Sequence, residues 1–167
     1  GTPVKAVYGL LSDGSAVIDM ASCAGLPLAG SRKDPEKATT YGVGQLLRSA
    51  LDRGAQRLLL GLGGSATNDG GCGMAAACGV QFLDEEGRAF VPTGGTLERI
   101  ASIDLSRLDP RLREAELTAL CDIDSPLCGP AGAAAVFSPQ KGADPAMTAR
   151  LEAGLQHLRA VWQAQTG

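Results

Sequence analysis

The chain has no excess of basic charge, no membrane-length apolar run, no paired-cysteine motif and almost no histidine. Fifteen Lys and Arg against 18 Asp and Glu leave a net charge of −3 in 167 residues. That balance gives no electrostatic case for nucleic acid or an anionic membrane as partner. No apolar stretch approaches the roughly 18 residues a membrane span needs. The five cysteines, Cys23, Cys72, Cys78, Cys121 and Cys128, are odd in number and form no Cys-x-x-Cys. Each sits among small or apolar neighbours, the pattern of buried, reduced thiols in a cytosolic protein rather than of disulfides or zinc. The one histidine, His157, lies in a helical stretch away from the polar clusters and reads as a helix-surface or packing residue. No Gly-Lys-Ser/Thr occurs, so the Walker A phosphate loop is excluded. Forty-four per cent hydrophobic residues suffice for the core of a single domain. The chain opens Gly1-Thr2-Pro3 and enters a strand almost at once, which suggests a domain excised from a longer protein.

Strand and helix signals interleave. Residues 4–20 read as a hairpin turning at Ser12-Asp13-Gly14, and 21–30 as a short helix ending at glycine. Thr39 or Thr40 caps a helix from Tyr41 to Arg53, with Val43, Leu46, Leu47 and Ala50 as its apolar stripe. Residues 56–62 form a buried strand, and Asn68 or Asp69 caps a short helix ending near Cys78-Gly79. Residues 80–83 form another strand, closed by the turn Asp84-Glu85-Glu86-Gly87; 88–114 look irregular, and 116–123 are strand-like. The last helix carries Met147, Leu151, Leu155, Leu158, Val161 and Trp162 on one face, with Asp144 as cap and Pro145 in its first turn. These elements predict an α+β fold: one domain, residues 1–167, with a mixed β-sheet flanked by helices.

The richest segment is Leu58–Met74. A leucine strand runs into a loop holding Gly61, Gly63, Gly64, Gly70, Gly71 and Gly73, with Ser65, Thr67, Asn68 and Asp69 between them. Glycines let backbone N–H groups face a ligand closely, and loops on rigid scaffolds carry function. Gly61–Ala66 also satisfies the G-x-G-x-x-A of a dinucleotide turn, with Asp84 to Glu86 about twenty residues on. Against that reading, Thr67-Asn68-Asp69-Gly70-Gly71 puts poor helix formers where the dinucleotide-binding helix begins.

Two further clusters bear chemistry. Asp122 and Asp124 place carboxylates two residues apart at a strand end, a pattern that suits Mg²⁺ and equally suits an Asp-Ser-Pro turn. Lys141, in Pro139-Gln140-Lys141-Gly142, reads by residue type as a solvated charge; its unusually non-polar neighbours open a second reading, neutralisation of a transferring phosphoryl group. Arg32, Lys33, Thr39 and Thr40 form a weaker fourth group.

Gly61–Gly71 (GLGGSATNDGG), Cys121–Pro130 (CDIDSPLCGP) and Val136–Gly142 (VFSPQKG), with Ile18–Ser22 and Thr39–Gly44, occur in one order over nearly the whole chain. This set resembles the bacterial type I glycerate kinases. The resemblance implies ATP- and Mg²⁺-dependent phosphorylation of D-glycerate, with 2-phosphoglycerate the favoured product, in a cytoplasmic two-domain α/β enzyme whose site lies in the cleft between domains. It implies that this chain is the inserted second domain, partnered by a domain of the same polypeptide. On that basis Asp69 is expected to orient or deprotonate the attacking hydroxyl and Lys141 to steady the transferring group. Gly63, Gly64, Ser65, Thr67, Asn68, Gly70 and Gly71 are expected to bind substrate, and Asp122 and Asp124 to hold the metal or compete for the base role. A rival reading makes the chain a glycerate-gripping lid with no chemistry of its own.

Overall fold

The computed structural model describes residues 2–31 and 33–166. Two sheets share the molecule. The first has the strand order β1-β2-β3-β7, from β1 (Gly9–Leu10), β2 (Ser15–Asp19), β3 (Arg57–Gly61) and β7 (Glu116–Leu120). β1 returns antiparallel on β2, as the hairpin reading expects, while β2, β3 and β7 run parallel. The second is antiparallel, in the order β5-β4-β6, from β4 (Gln81–Leu83), β5 (Ala89–Phe90) and β6 (Ser102–Asp104). The fold is α+β as expected, but the β residues divide between a mixed and an antiparallel sheet instead of forming one.

Helix α3 (Tyr41–Asp52) crosses over from β2 to β3 and buries Val43, Leu47, Ala50 and Leu51. They pack on Ala16, Ile18, Leu58 and Leu60, the residues of β2 and β3 that face it. Burial of each such leucine stabilises by about 2 kcal/mol. The long α7 (Pro145–Thr166) buries Leu151, Leu155 and Leu158 against Phe82, Leu97, Ile100 and Ile103 of the second layer. Asp144 caps it as expected, accepting the Met147 N–H at 2.7 Å. Trp162 lies at the exposed limit of the stripe.

Several local expectations shift. Residues 21–30 form not one helix but two, α1 (Ala21–Ala24) and α2 (Leu26–Ala29), because Gly25 between them is extended and bridges to Ser65. The span 88–114 is largely ordered: besides β5 and β6 it holds a 3-10 helix at Gly94–Arg99 and the short α5 (Arg111–Glu114). These pieces are too brief for periodicity to reveal. Asp84 takes N–H groups from Glu86 and Arg88 and the Arg88 guanidinium, and Glu86 pairs with Arg88, so the acidic turn is a hairpin closure whose carboxylates at 84 and 86 are engaged internally. His157 lies on α7, its Nε2 2.7 Å from the Ile100 carbonyl oxygen, a packing role as expected. Cys72 and Cys78 are buried, with thiols pushed up to about 12 and about 11 by desolvation; Cys23 and Cys128 are half-buried and Cys121 is exposed, so the expectation of five buried thiols holds for two.

Candidate functional site

The parallel strands β2, β3 and β7 end together at Asp19, Gly61 and Leu120. In open α/β sheets ligands bind outside these carboxyl ends, and here the glycine loop, residues 62–71, leaves β3. Its first half is pinned rather than loose. The Leu26 N–H donates to the Gly64 carbonyl at 2.9 Å and the Ala66 N–H to the Ala24 carbonyl at 2.8 Å. Gly63 and Gly64 are exposed, so the loop's outer rim is open while its inner residues, Thr67 to Asp69, are buried.

Gly70 and Gly71 both take positive φ, 59° and 78°, which reverses the chain into α4 (Cys72–Ala77). The helix therefore begins well past the glycines of the dinucleotide pattern, and its anchor is Asp69. Oδ1 accepts the Gly71 N–H at 3.2 Å; Oδ2 accepts the Gly73 N–H at 3.2 Å, the Thr40 N–H at 2.8 Å and the Thr40 hydroxyl at 2.9 Å. Thr40 Oγ1 in turn accepts the Met74 N–H at 2.8 Å. One carboxylate thus ties the N-terminus of α3 to that of α4. Asp69 is only 1% exposed. Desolvation pushes its carboxyl above the ordinary range, opposed by the donors from Thr40, Gly71 and Gly73. A Cβ at Gly73 would sit against Thr39 Oγ1 and Asp69 Oδ2, so the close approach requires glycine there.

Helix α6 (Ala133–Phe137) and a 3-10 turn at Pro139–Lys141 carry Lys141 back to the loop. Its ammonium donates to the Thr67 carbonyl at 2.6 Å and to Ser65 Oγ at 3.2 Å. The residue is 9% exposed, and among the described residues no carboxylate lies within ion-pair distance of it. Burial holds the Lys141 pKa below its ordinary value, with the Asp69 charge acting the other way. Asn68, 6% exposed, has its Nδ2 buried without a hydrogen-bond partner among the described residues. A buried donor without a partner costs about 1–3 kcal/mol, and a ligand oxygen would relieve it.

The expected residues Ser65, Thr67, Asn68, Asp69 and Lys141 thus come together, the lysine bridging a separation of 74 residues to Thr67. Asp122 and Asp124 stand apart, exposed on the segment after β7. That segment adjoins the glycine loop through the Leu62 N–H, which donates to the Leu120 carbonyl at 3.3 Å. Among the described residues no group of three His, Cys, Asp or Glu side chains converges as a closed metal cage. Two exposed carboxylates do fit Mg²⁺, which takes one or two and keeps waters or phosphate oxygens for the rest. In the fourth group, Lys33 donates to the Gln140 carbonyl at 3.1 Å and Thr39 Oγ1 accepts the Tyr41 N–H at 3.1 Å; Arg32 lies outside the described residues. The role of Thr40 in holding Asp69 was not legible, because the two are 29 positions apart and no local pattern links them.

A glycine-rich loop at the carboxyl ends of parallel strands, closed by a buried lysine, offers the donors and positive charge that suit an anion. The model of the glycerate kinase family matches residues 1–167, and the chain belongs to that family. It is 50% identical over 160 residues to a glycerate kinase of Bacillus subtilis (strain 168), covering 95% of this chain and 42% of that protein. It is 43% identical over 163 residues to a glycerate 2-kinase of Escherichia coli (strain K12), covering 96% of this chain and 43% of that protein. A crystal structure from Salmonella typhimurium LT2, provisionally named glycerate kinase 2, superposes with a TM-score of 0.93 at 45% identity, over 96% of this chain and 44% of that one. The chain therefore spans less than half the length of these relatives.

Proposed function

We propose that this chain forms one wall of the cleft of an ATP- and Mg²⁺-dependent glycerate kinase, the other wall being a further domain of the same polypeptide. The observation that carries this reading is Lys141, a buried ammonium with two of its three donor positions engaged and, among the described residues, no carboxylate within ion-pair distance. Burying a charge without a direct ion pair is costly, and the more distant Asp69 charge offsets that only in part; an anionic ligand at the glycine loop supplies direct compensation. Asn68 Nδ2 offers a second unused donor in the same segment. Glycerate and the transferring phosphoryl group are both anionic, and phosphoryl transfer asks mainly for positioning and charge neutralisation.

In the reaction a hydroxyl oxygen of D-glycerate forms the new bond to the γ-phosphorus, the bond to the ADP oxygen breaks, and the hydroxyl proton leaves. Lys141 steadies the oxygens of the transferring group, and the exposed rim at Gly63 and Gly64 admits the substrate beside Ser65 and Asn68. Asp122 and Asp124 would hold Mg²⁺, which when bound supplies charge neutralisation at the phosphates. The name of the Escherichia coli relative, glycerate 2-kinase, supports 2-phosphoglycerate as product. Among the described residues no helix is long and apolar enough to cross a membrane, in keeping with a cytoplasmic enzyme.

The burial of Asp69 favours one revision. With both oxygens engaged by donors of α3 and α4 it acts better as a positioning residue than as the base, which leaves whichever of the exposed Asp122 and Asp124 is not on Mg²⁺ as the proton acceptor. The same observation favours, as a second reading, a glycerate-gripping lid with the chemistry on the other domain. Lys141→Met in the full-length enzyme tests the two. A phosphoryl-contacting lysine predicts a fall in kcat of about 100-fold or more, with folding intact by circular dichroism. A rise in KM for glycerate alone, with kcat unchanged, supports the lid reading.

A further inference from the structure

Strand β7 lies at the edge of its sheet with two leucines exposed. In the order β1-β2-β3-β7 only one side of it is paired among the described residues. The Glu116 N–H donates to the Gln56 carbonyl at 2.9 Å, and the Leu120 carbonyl accepts the Leu62 N–H at 3.3 Å. Alternation along a parallel ladder then turns the N–H and C=O groups of Leu117 and Ala119 to the unpaired side. The strand reads Glu-Leu-Thr-Ala-Leu, with no lysine or proline of the kind that blunts natural edges. Parallel strands are ordinarily covered on both faces, yet Leu117 is 45% and Leu120 52% exposed.

The face of the sheet turned away from α3 is open as well. Val17, Leu59 and Thr118 stand in register on it, with Leu120 next along. Val17 and Leu120 on that face are exposed, and Ile123 and Leu127 follow as exposed apolar residues in the segment after β7.

We propose that β7 is an interior strand of a larger parallel sheet, its free side taken by a parallel β-strand from the remainder of the full-length polypeptide. The matched relatives supply that length, since this chain covers 42% and 43% of the Bacillus and Escherichia proteins. A parallel neighbour needs a crossover of a dozen or more residues, which returns a helix to the open face over Val17, Leu59 and Leu120. A second copy of the chain is the poorer occupant. A two-fold axis beside β7 would pair it antiparallel with itself and leave the open face bare. Continuing the sheet places Asp122 and Asp124 between two strand ends instead of at an outer rim.

Hydrogen–deuterium exchange on the full-length protein tests this through the amides of Leu117 and Ala119. The proposal expects exchange at both slowed at least about 100-fold relative to unstructured chain, at every protein concentration. Exchange at the unstructured rate overturns it. Protection that appears only as the mass doubles in sedimentation assigns the edge to a second copy and also overturns it. Ala119→Pro provides a second readout, because proline is tolerated where the N–H faces solvent and not where it donates to a ladder. A Tm lowered by about 5 °C or more agrees with the continued sheet, and an unchanged Tm overturns it. Should that variant fail to fold, exchange at Leu117 in the unsubstituted protein decides. None of these outcomes depends on which reaction the protein catalyses.

Discussion

Thr40 is bound to Asp69 twice, through its N–H at 2.8 Å and its hydroxyl at 2.9 Å, both on the same carboxylate oxygen. The pair locks the start of α3 to the start of α4, so the glycine loop between β3 and α4 has one fixed end. Lys141, donating to the Thr67 carbonyl at 2.6 Å, fixes the middle.

Asp69→Asn is expected to destabilise the protein by about 2–4 kcal/mol in urea denaturation. The amide keeps the shape but puts an NH₂ in place of one of two oxygens that both receive donors. If Asp69 positions rather than deprotonates, kcat of the full-length enzyme falls while its pH profile keeps its shape. Loss of the acidic limb of that profile would instead assign it the base role.

For Asn68→Ala the expected balance is reversed. Nδ2 has no protein partner, so its removal changes stability by less than about 1 kcal/mol. Losing a donor to a charged ligand costs about 1.5–3 kcal/mol in binding, which raises KM for glycerate roughly 10- to 100-fold. Steady-state kinetics with a melting curve separates these; an unchanged KM would remove Asn68 from the substrate site.

The depressed pKa of Lys141 carries a pH dependence. Because burial favours the neutral amine, the unfolded state binds the extra proton between the folded value and the ordinary 10.5. Stability from this group is therefore lowest below the folded value and rises as pH climbs through it. Anion binding runs the other way, since only the ammonium attracts the ligand. Titration calorimetry of the full-length protein should show phosphate or glycerate affinity falling as pH rises through a value below 10.5, with that loss absent in Lys141→Met.

Gln165→Ala tests the second sheet. Its side chain accepts the Ile103 N–H at 2.8 Å and donates to the Ile103 carbonyl at 3.1 Å, closing the outer edge of β6 as a strand would. Removal of both bonds is expected to cost about 1–3 kcal/mol. A change in stability below about 0.3 kcal/mol would show that this edge is held by α7 packing alone.

Much of the first sheet was legible beforehand. Leu58-Leu59-Leu60 is a buried strand by composition, and the 3.6-residue stripe of α3 and the capped α7 follow from periodicity and end signals. Of the second sheet only β4 was legible, as the strand at 80–83; β5 has two residues and β6 three, too few for an alternating pattern to register. The break at Gly25 was also missed, because it follows from the bridge to Ser65, forty positions away, rather than from its neighbours.

The sequence by itself determined the chemistry on offer: glycines with hydroxyl, amide and carboxylate groups in one loop, a lysine in apolar surroundings, and two acidic residues at a strand end. Residue type alone sets which groups can donate, accept or carry charge. Tertiary structure decided the distribution of labour, because burial and partners are properties of distant segments meeting. It enclosed Asp69 among the donors of two helices, buried Lys141 without a direct ion pair and left Asn68 Nδ2 unpartnered among the described residues. It also left β7 at a sheet edge with Leu117 and Leu120 exposed.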